Sequence, residues 1–198
     1  VSEEKTTAII SKTTILGGTT VKRILKWVGG ILGVLLLAAG GYLIYLFTTY
    51  YRVPDDQALK VKNQQSTQFK PGQTYTAMTY NIGYGSYPPS YSFFMDGGKY
   101  SRAYSKKSVR TSINGVIKTT QAQNPDVAFY QEIDPDGDRS QHVNEVKMVT
   151  GAQQQYANVY GQNYDSAYLF YPFTQPLGKA KSGIITLSKA KVDSSRRS

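Results

Sequence analysis

Two stretches of this 198-residue sequence carry groups that could do chemistry. The first is Gln131-Glu132, which follows Val127, Ala128, Phe129 and Tyr130. A near-continuous apolar run of that length predicts a strand buried on both faces. A carboxylate at the C-terminal end of such a strand stands where α/β sheets bind ligands. Its plain alternative is a solvated glutamate at a strand tip. The second stretch runs from Asp134 to Glu145, with acids at positions 1, 3, 5 and 12 of a calcium-loop spacing. Arg139 stands at position six, where the sharp turn needs glycine, and Pro135 and Gln141 are atypical. A solvated acidic loop accounts for the same residues.

Composition removes several chemistries. The chain has no cysteine, which excludes disulfides, thiolate metal sites and a cysteine nucleophile. His142 is the single histidine, so a zinc site built on several histidines is excluded. Gly83 and Gly85 form a Gly-x-Gly pair, but neither a dinucleotide fingerprint nor a P-loop lysine follows.

The elements that must position Glu132 follow from periodicity and punctuation. Residues 73–82 are β-prone and part-alternating, and predict a strand ending at Asn81. Residues 84–105 are rich in Gly, Ser, Tyr and Pro and predict a loop. Its aromatic content fits a substrate-contacting or membrane-facing role, or packing over a sheet edge. Residues 105–123 predict a helix, with Val109, Ile113, Val116 and Ile117 on one face. Pro125 ends it, because Asn124 is pushed away from helical geometry. The order strand, helix, strand is that of an α/β protein. A helix over 144–150 and strands over 156–160, 168–171 and 182–188 complete the reading, with a polar end at 189–198.

The N-terminal quarter is different. Residues 1–20 are polar and Thr-rich and predict a disordered tail. Lys22, Arg23 and Lys26 precede 21 uncharged residues, 27–47. About 20 apolar residues span a bilayer. Aromatic residues lie near the ends, the basic cluster precedes the span, and Asp55-Asp56 follow it. These features predict a single-pass cell-membrane protein with its N-terminus cytoplasmic and the bulk of the chain extracytoplasmic. The boundaries expected are a tail at 1–22, a transmembrane signal-anchor at 23–50, a linker at 51–73 and a domain at 74–198. A cleaved signal peptide is the rival, but the apolar run is longer than its usual core. Residues 53–198 hold 17 basic against 11 acidic residues. That balance of +6 suits anionic surfaces or phosphate substrates.

Three segments, taken in order, resemble the endonuclease/exonuclease/phosphatase superfamily of metal-dependent phosphohydrolases. They are Met78-Thr79-Tyr80-Asn81-Ile82, then Asn124-Pro125-Asp126-Val127 through Gln131-Glu132-Ile133-Asp134 with Arg139-Ser140 after it, then Ser182-Gly183-Ile184-Ile185-Thr186-Leu187-Ser188. The resemblance covers residues 74–198. It implies the N-terminal half of a four-layer α/β sandwich, Glu132 as ligand of Mg²⁺ (or Mn²⁺ or Ca²⁺), and Asn81 and Arg139 at the substrate phosphate. The implied substrate is a phosphoester of nucleic acid, a phospholipid head group, or a sugar or inositol phosphate. The superfamily's Asp-x-Asn and late Ser-Asp-His segments have no counterpart here. The chain is therefore expected to be an incomplete, inactive part of a hydrolase. The competing expectation is a non-catalytic extracytoplasmic binding module that keeps the fold.

Overall fold

A computed structural model of the protein describes the backbone of residues 2–198 and the side chains of residues 19–198. The chain divides at Thr48/Thr49 into two compact units.

The first unit is one helix, α1 (Ser2–Thr49). Its part Thr19–Thr49 is long and apolar enough to cross a membrane. Large apolar side chains are exposed all along it, among them Trp27, Leu37 and Phe47. The tail expected to be disordered is helical from Ser2. It contains no proline, and extending a helix already nucleated costs far less than starting one.

The second unit is mixed α/β. Its elements are β1 (Gln57–Ala58), β2 (Val61–Lys62), β3 (Ala77–Asn81), α2 (Lys106–Gln123), β4 (Val127–Gly137), α3 (Glu145–Ala152), β5 (Ala157–Asp165), β6 (Ala180–Ser188) and β7 (Arg196–Arg197). Five strands form one sheet in the order β2-β5-β6-β4-β3, and β1 pairs with β7. Only β3 and β4 are parallel, joined through α2; the other neighbours run antiparallel.

Local chemistry explains the β3-α2-β4 unit. Ser105 caps α2 by accepting from Ser108 N–H, while Ser108 returns the bond in a capping box. Asn124 closes α2 in the left-handed conformation, which asparagine tolerates. The start of β3 is fastened by Asp126, whose carboxylate accepts from the backbone and hydroxyl of Thr76. Val109, Ile113, Val116 and Ile117 then pack on Ala128, Tyr130, Ile185 and Leu187. Tyr130 and Thr120 of α2 share a hydrogen bond across that layer.

Four sequence expectations change. The apolar run of β4 is buried on one face only: Ala128 and Tyr130 are fully covered, whereas Phe129 remains 38 % exposed. β4 does not stop at Glu132 but continues to Gly137, because irregular register after Tyr130 and again after Ile133 lets it bend and keep pairing with β6. The stretch expected as a linker supplies β1 and β2, and β2 forms the sheet edge beside β5. Residues 168–171 are not a strand. Leu169 makes one isolated bridge to Gly178, because Pro172 and Pro176 leave too few donors for a ladder.

Gly183 shows why β6 requires glycine where it crosses β5. A Cβ there would lie 2.3 Å from the Gly161 carbonyl oxygen and 2.6 Å from the Tyr160 ring. Gly183→Ala is expected to lower stability by about 1–3 kcal/mol, the cost of overpacking against backbone. Urea denaturation measures it.

Candidate functional site

The parallel pair sets the site. Asn81 is paired in register with Gln131, so the C-terminal end of β3 lies beside the middle of β4 where the parallel pairing stops, and Glu132 is the next residue. Glu132 has φ of +55°, a left-handed conformation that costs a non-glycine residue about 1–2 kcal/mol. It occupies the irregularity between Tyr130 and Ile133. Such irregularities re-aim side chains and concentrate next to functional sites.

Asn81 fixes that side chain. Its Nδ2 donates to Glu132 Oε1 at 2.8 Å, and its Oδ1 accepts from Gly83 N–H at 2.9 Å. Both residues are exposed and stand on the rim between two clefts. One, of about 530 Å³, is lined by Tyr80, Gly83, Tyr87 and residues of α2. The other, of about 290 Å³, is lined by Gln131, Arg139, Asn163, Tyr164, Ser182 and Ile184.

Arg139 is a wall of the smaller cleft. Its Nε and Nη2 each donate to Asp134 at 2.9 Å, and its guanidinium lies 4.1 Å from the centre of the Tyr84 ring. Asp134 is fully buried. Arg139 is therefore a fixed cation with two of its nitrogens committed, and a phosphate would meet it in place. Asp134→Ala leaves that guanidinium without its counter-charge. Breaking one side of a buried pair costs about 3–5 kcal/mol, and a fall of that size in the free energy of unfolding is expected.

The calcium-loop alternative is overturned by where the acids point. Asp134 pairs with Arg139. Asp136 and Asp138 contact the two ring nitrogens of His142 at 2.8 and 3.3 Å. Glu145 is fully buried and accepts from Asp134 N–H at 2.9 Å. The side chains diverge, and among the described residues no group of three His, Cys, Asp or Glu gathers. The stretch is solvated only in part: Asp136 and His142 are exposed, whereas Asp134 lies within β4 and is covered.

Glu145 sits beneath the site's first loop. A Cβ on Gly85 would lie 3.2 Å from its Oε1, and Gly85 itself has φ of +62°, so only glycine lets the chain pass there. Burial pushes the Glu145 carboxyl up to about 9, and the charge of Asp134 adds to that. Burial likewise raises the Tyr84 phenol, so that ring stays neutral beneath Arg139.

The donor set at the rim is one carboxylate beside one amide. That suits a hard cation such as Mg²⁺, which keeps most of its waters and takes one or two protein carboxylates. It does not suit zinc, which needs three or four protein ligands. Asn163 and Ser182 were not anticipated from the sequence. The Ser182 hydroxyl is buried with no hydrogen-bond partner, and both residues reach the cleft through long-range pairing of β5 with β6. No local pattern marks Asn163, and Ser182 reads in the sequence only as the first residue of the strand at 182–188. No family model, no curated protein and no solved structure matches this chain.

Proposed function

We propose that the Asn81–Glu132 pair holds a divalent cation, Mg²⁺ in the first instance. The adjoining clefts then receive a phosphoester, as part of a membrane-anchored hydrolase of the endonuclease/exonuclease/phosphatase type. The observation that carries this reading is the left-handed Glu132 at the end of a parallel strand pair, held by Asn81 and opening onto two clefts. Strain of that kind persists where the surrounding structure enforces it, and this position is where α/β sheets take ligands. Further support comes from the layering: both helices cover one face of the sheet, and Phe129 and Ile184 stay partly exposed on the other. Half of a sandwich has that form.

Each residue has a role in this reading. Glu132 ligates the metal, and Asn81 holds the carboxylate in its one orientation. Arg139 supplies fixed positive charge to a phosphoryl oxygen, with the Asn163 amide and Ser182 hydroxyl offering further donors on the same wall. The bound cation would supply charge stabilisation at the phosphoryl oxygens. The exposed, apolar α1 is the anchor.

Manganese titration of the full chain in detergent, followed by electron paramagnetic resonance, tests the metal. One bound ion that magnesium displaces is expected, and no bound manganese would remove the reading. A chromogenic phosphodiester tests the chemistry. Metal binding without turnover is expected, because the superfamily's Asp-x-Asn and late Ser-Asp-His segments have no counterpart in this chain; turnover would show that these residues suffice for catalysis.

A further inference from the structure

Outside the site, the most unusual surface lies on two loops that leave the sheet. The loop between Gly85 and α2 carries Phe93, Phe94 and Met95; the loop between β5 and β6 carries Tyr171 and Phe173. Ring contacts join them. Phe93 meets Phe94 at 4.9 Å, Phe94 meets Tyr171 at 5.8 Å, and Tyr171 meets Phe173 at 5.8 Å between centroids. Polar bonds hold the two loops together behind the rings. Ser101 N–H donates to Gln175 Oε1 at 2.9 Å, and Arg102 Nε donates to the Pro176 carbonyl. The surface is therefore built rather than incidental. Yet its outermost members face solvent: Phe173 is 84 % exposed, Met95 72 % and Tyr171 63 %.

Large apolar side chains gathered on a water-facing surface mark an interaction site. The occupant is indicated by the chain itself. Aromatic rings favour the headgroup region of a bilayer, and phenylalanine and methionine favour its acyl boundary. Residues 50–56 connect α1 to β1. Seven residues reach at most about 25 Å, so a domain that follows an inserted helix cannot leave the neighbourhood of the headgroups. Lys99 lies in the same loop and suits an anionic surface; Asp96 opposes it.

We propose that Met95, Tyr171 and Phe173 form a membrane-docking patch that inserts at the headgroup–acyl boundary of a bilayer. The inference rests on reading α1 as a membrane span. Docking gives the domain a second attachment, and it adds apolar burial to a tether that alone would leave the domain free to tumble.

The absence of cysteine allows a clean test. Phe173→Cys, Met95→Cys and, as control, Lys118→Cys on the exposed side of α2 each take one nitroxide label. The full chain is reconstituted in vesicles of phosphatidylcholine with a minor fraction of phosphatidylglycerol. Collision with oxygen against a nickel chelate reports depth. Trp27, the single tryptophan, lies in α1, so its quenching by lipid brominated near the headgroup reports the span separately. Labels at 173 and 95 are expected to favour oxygen several-fold over the label at 118, and adding Phe173→Asp should return position 95 to the aqueous value. Quenched Trp27 with aqueous values at 173 and 95 would overturn the patch and leave the span. Unquenched Trp27 would overturn both. Labels shielded from both reagents would assign the surface to a second protein copy instead.

Discussion

Glu132→Gln is expected to abolish divalent-cation binding without unfolding the domain. The two side chains have the same length, and glutamine can keep an oxygen on Asn81 Nδ2, so the bond at 2.8 Å survives. What disappears is the negative charge, the one ionised donor on the rim. A hard cation that keeps most of its waters is held mainly by that charge, and manganese affinity should drop by at least about 100-fold, on the upper side of what loss of a supporting residue alone produces. Glu132 is exposed, so the change in unfolding free energy should stay within about 0.5 kcal/mol. Glu132→Gly makes the argument sharper. Glycine adopts φ of +55° without steric cost, so this variant should lose the metal while matching or exceeding wild-type stability. A position that binds better than it folds is one maintained for function. If the glycine variant is clearly less stable, the left-handed conformation there is not strained, and the main argument for a site at Glu132 goes. Asn81→Ala is the intermediate case: the carboxylate remains but is no longer oriented, and affinity should fall by about 10- to 100-fold.

The scaffold under Glu132 was legible in the sequence, and its lining was not. The β3-α2-β4 unit could be read because each signal is local: helical spacing of Val109, Ile113, Val116 and Ile117, then Asn124-Pro125 as a stop. Placing Asn81 near Glu132 also follows, since one helix joins their two strands and sets them parallel, although β4 runs on past Glu132 to Gly137. The charged residues beyond Glu132 misled for a physical reason. Asp134, Arg139 and Glu145 read as a solvated run, because a charge pattern in sequence does not show which charges neutralise each other in the interior. The strand expected at 168–171 failed because aromatic content outweighed the proline that follows it; Tyr171 went to the surface patch, and Tyr168 and Phe170 pack on each other. Asn163 and Ser182 were invisible because antiparallel pairing of β5 with β6 decides which of their neighbours share a cleft. The left-handed backbone at Glu132 has no sequence signature at all, since nothing in Tyr-Gln-Glu-Ile asks for it.

Stability of the domain is expected to fall steadily as pH rises from about 5 to about 9, with Glu145 as the cause. In the unfolded chain its carboxyl ionises near the ordinary value of 4.5; in the folded protein burial, then the Asp134 charge, holds the proton to about 9. Between those values the folded state binds one proton more than the unfolded state. Unfolding releases it, so each unit rise in pH lowers the unfolding free energy by up to about 1.4 kcal/mol. The contribution is complete below about pH 4.5, erodes through the window, and levels off above about 9, where the carboxyl is ionised in both states. Glu145→Gln replaces the group with one that cannot ionise and that can still accept from Asp134 N–H, a bond of 2.9 Å in the wild type. Urea midpoints at four pH values between 5 and 8, with unchanged m-values, should show a steep slope for the wild type and a much flatter one for the variant. Equal slopes would mean that Glu145 is already ionised in the folded protein at pH 5, and that Arg139 is shared between two carboxylates. In that case the guanidinium would be more fully neutralised than its bonds to Asp134 imply, and Arg139 would lose its role as fixed positive charge on the cleft wall.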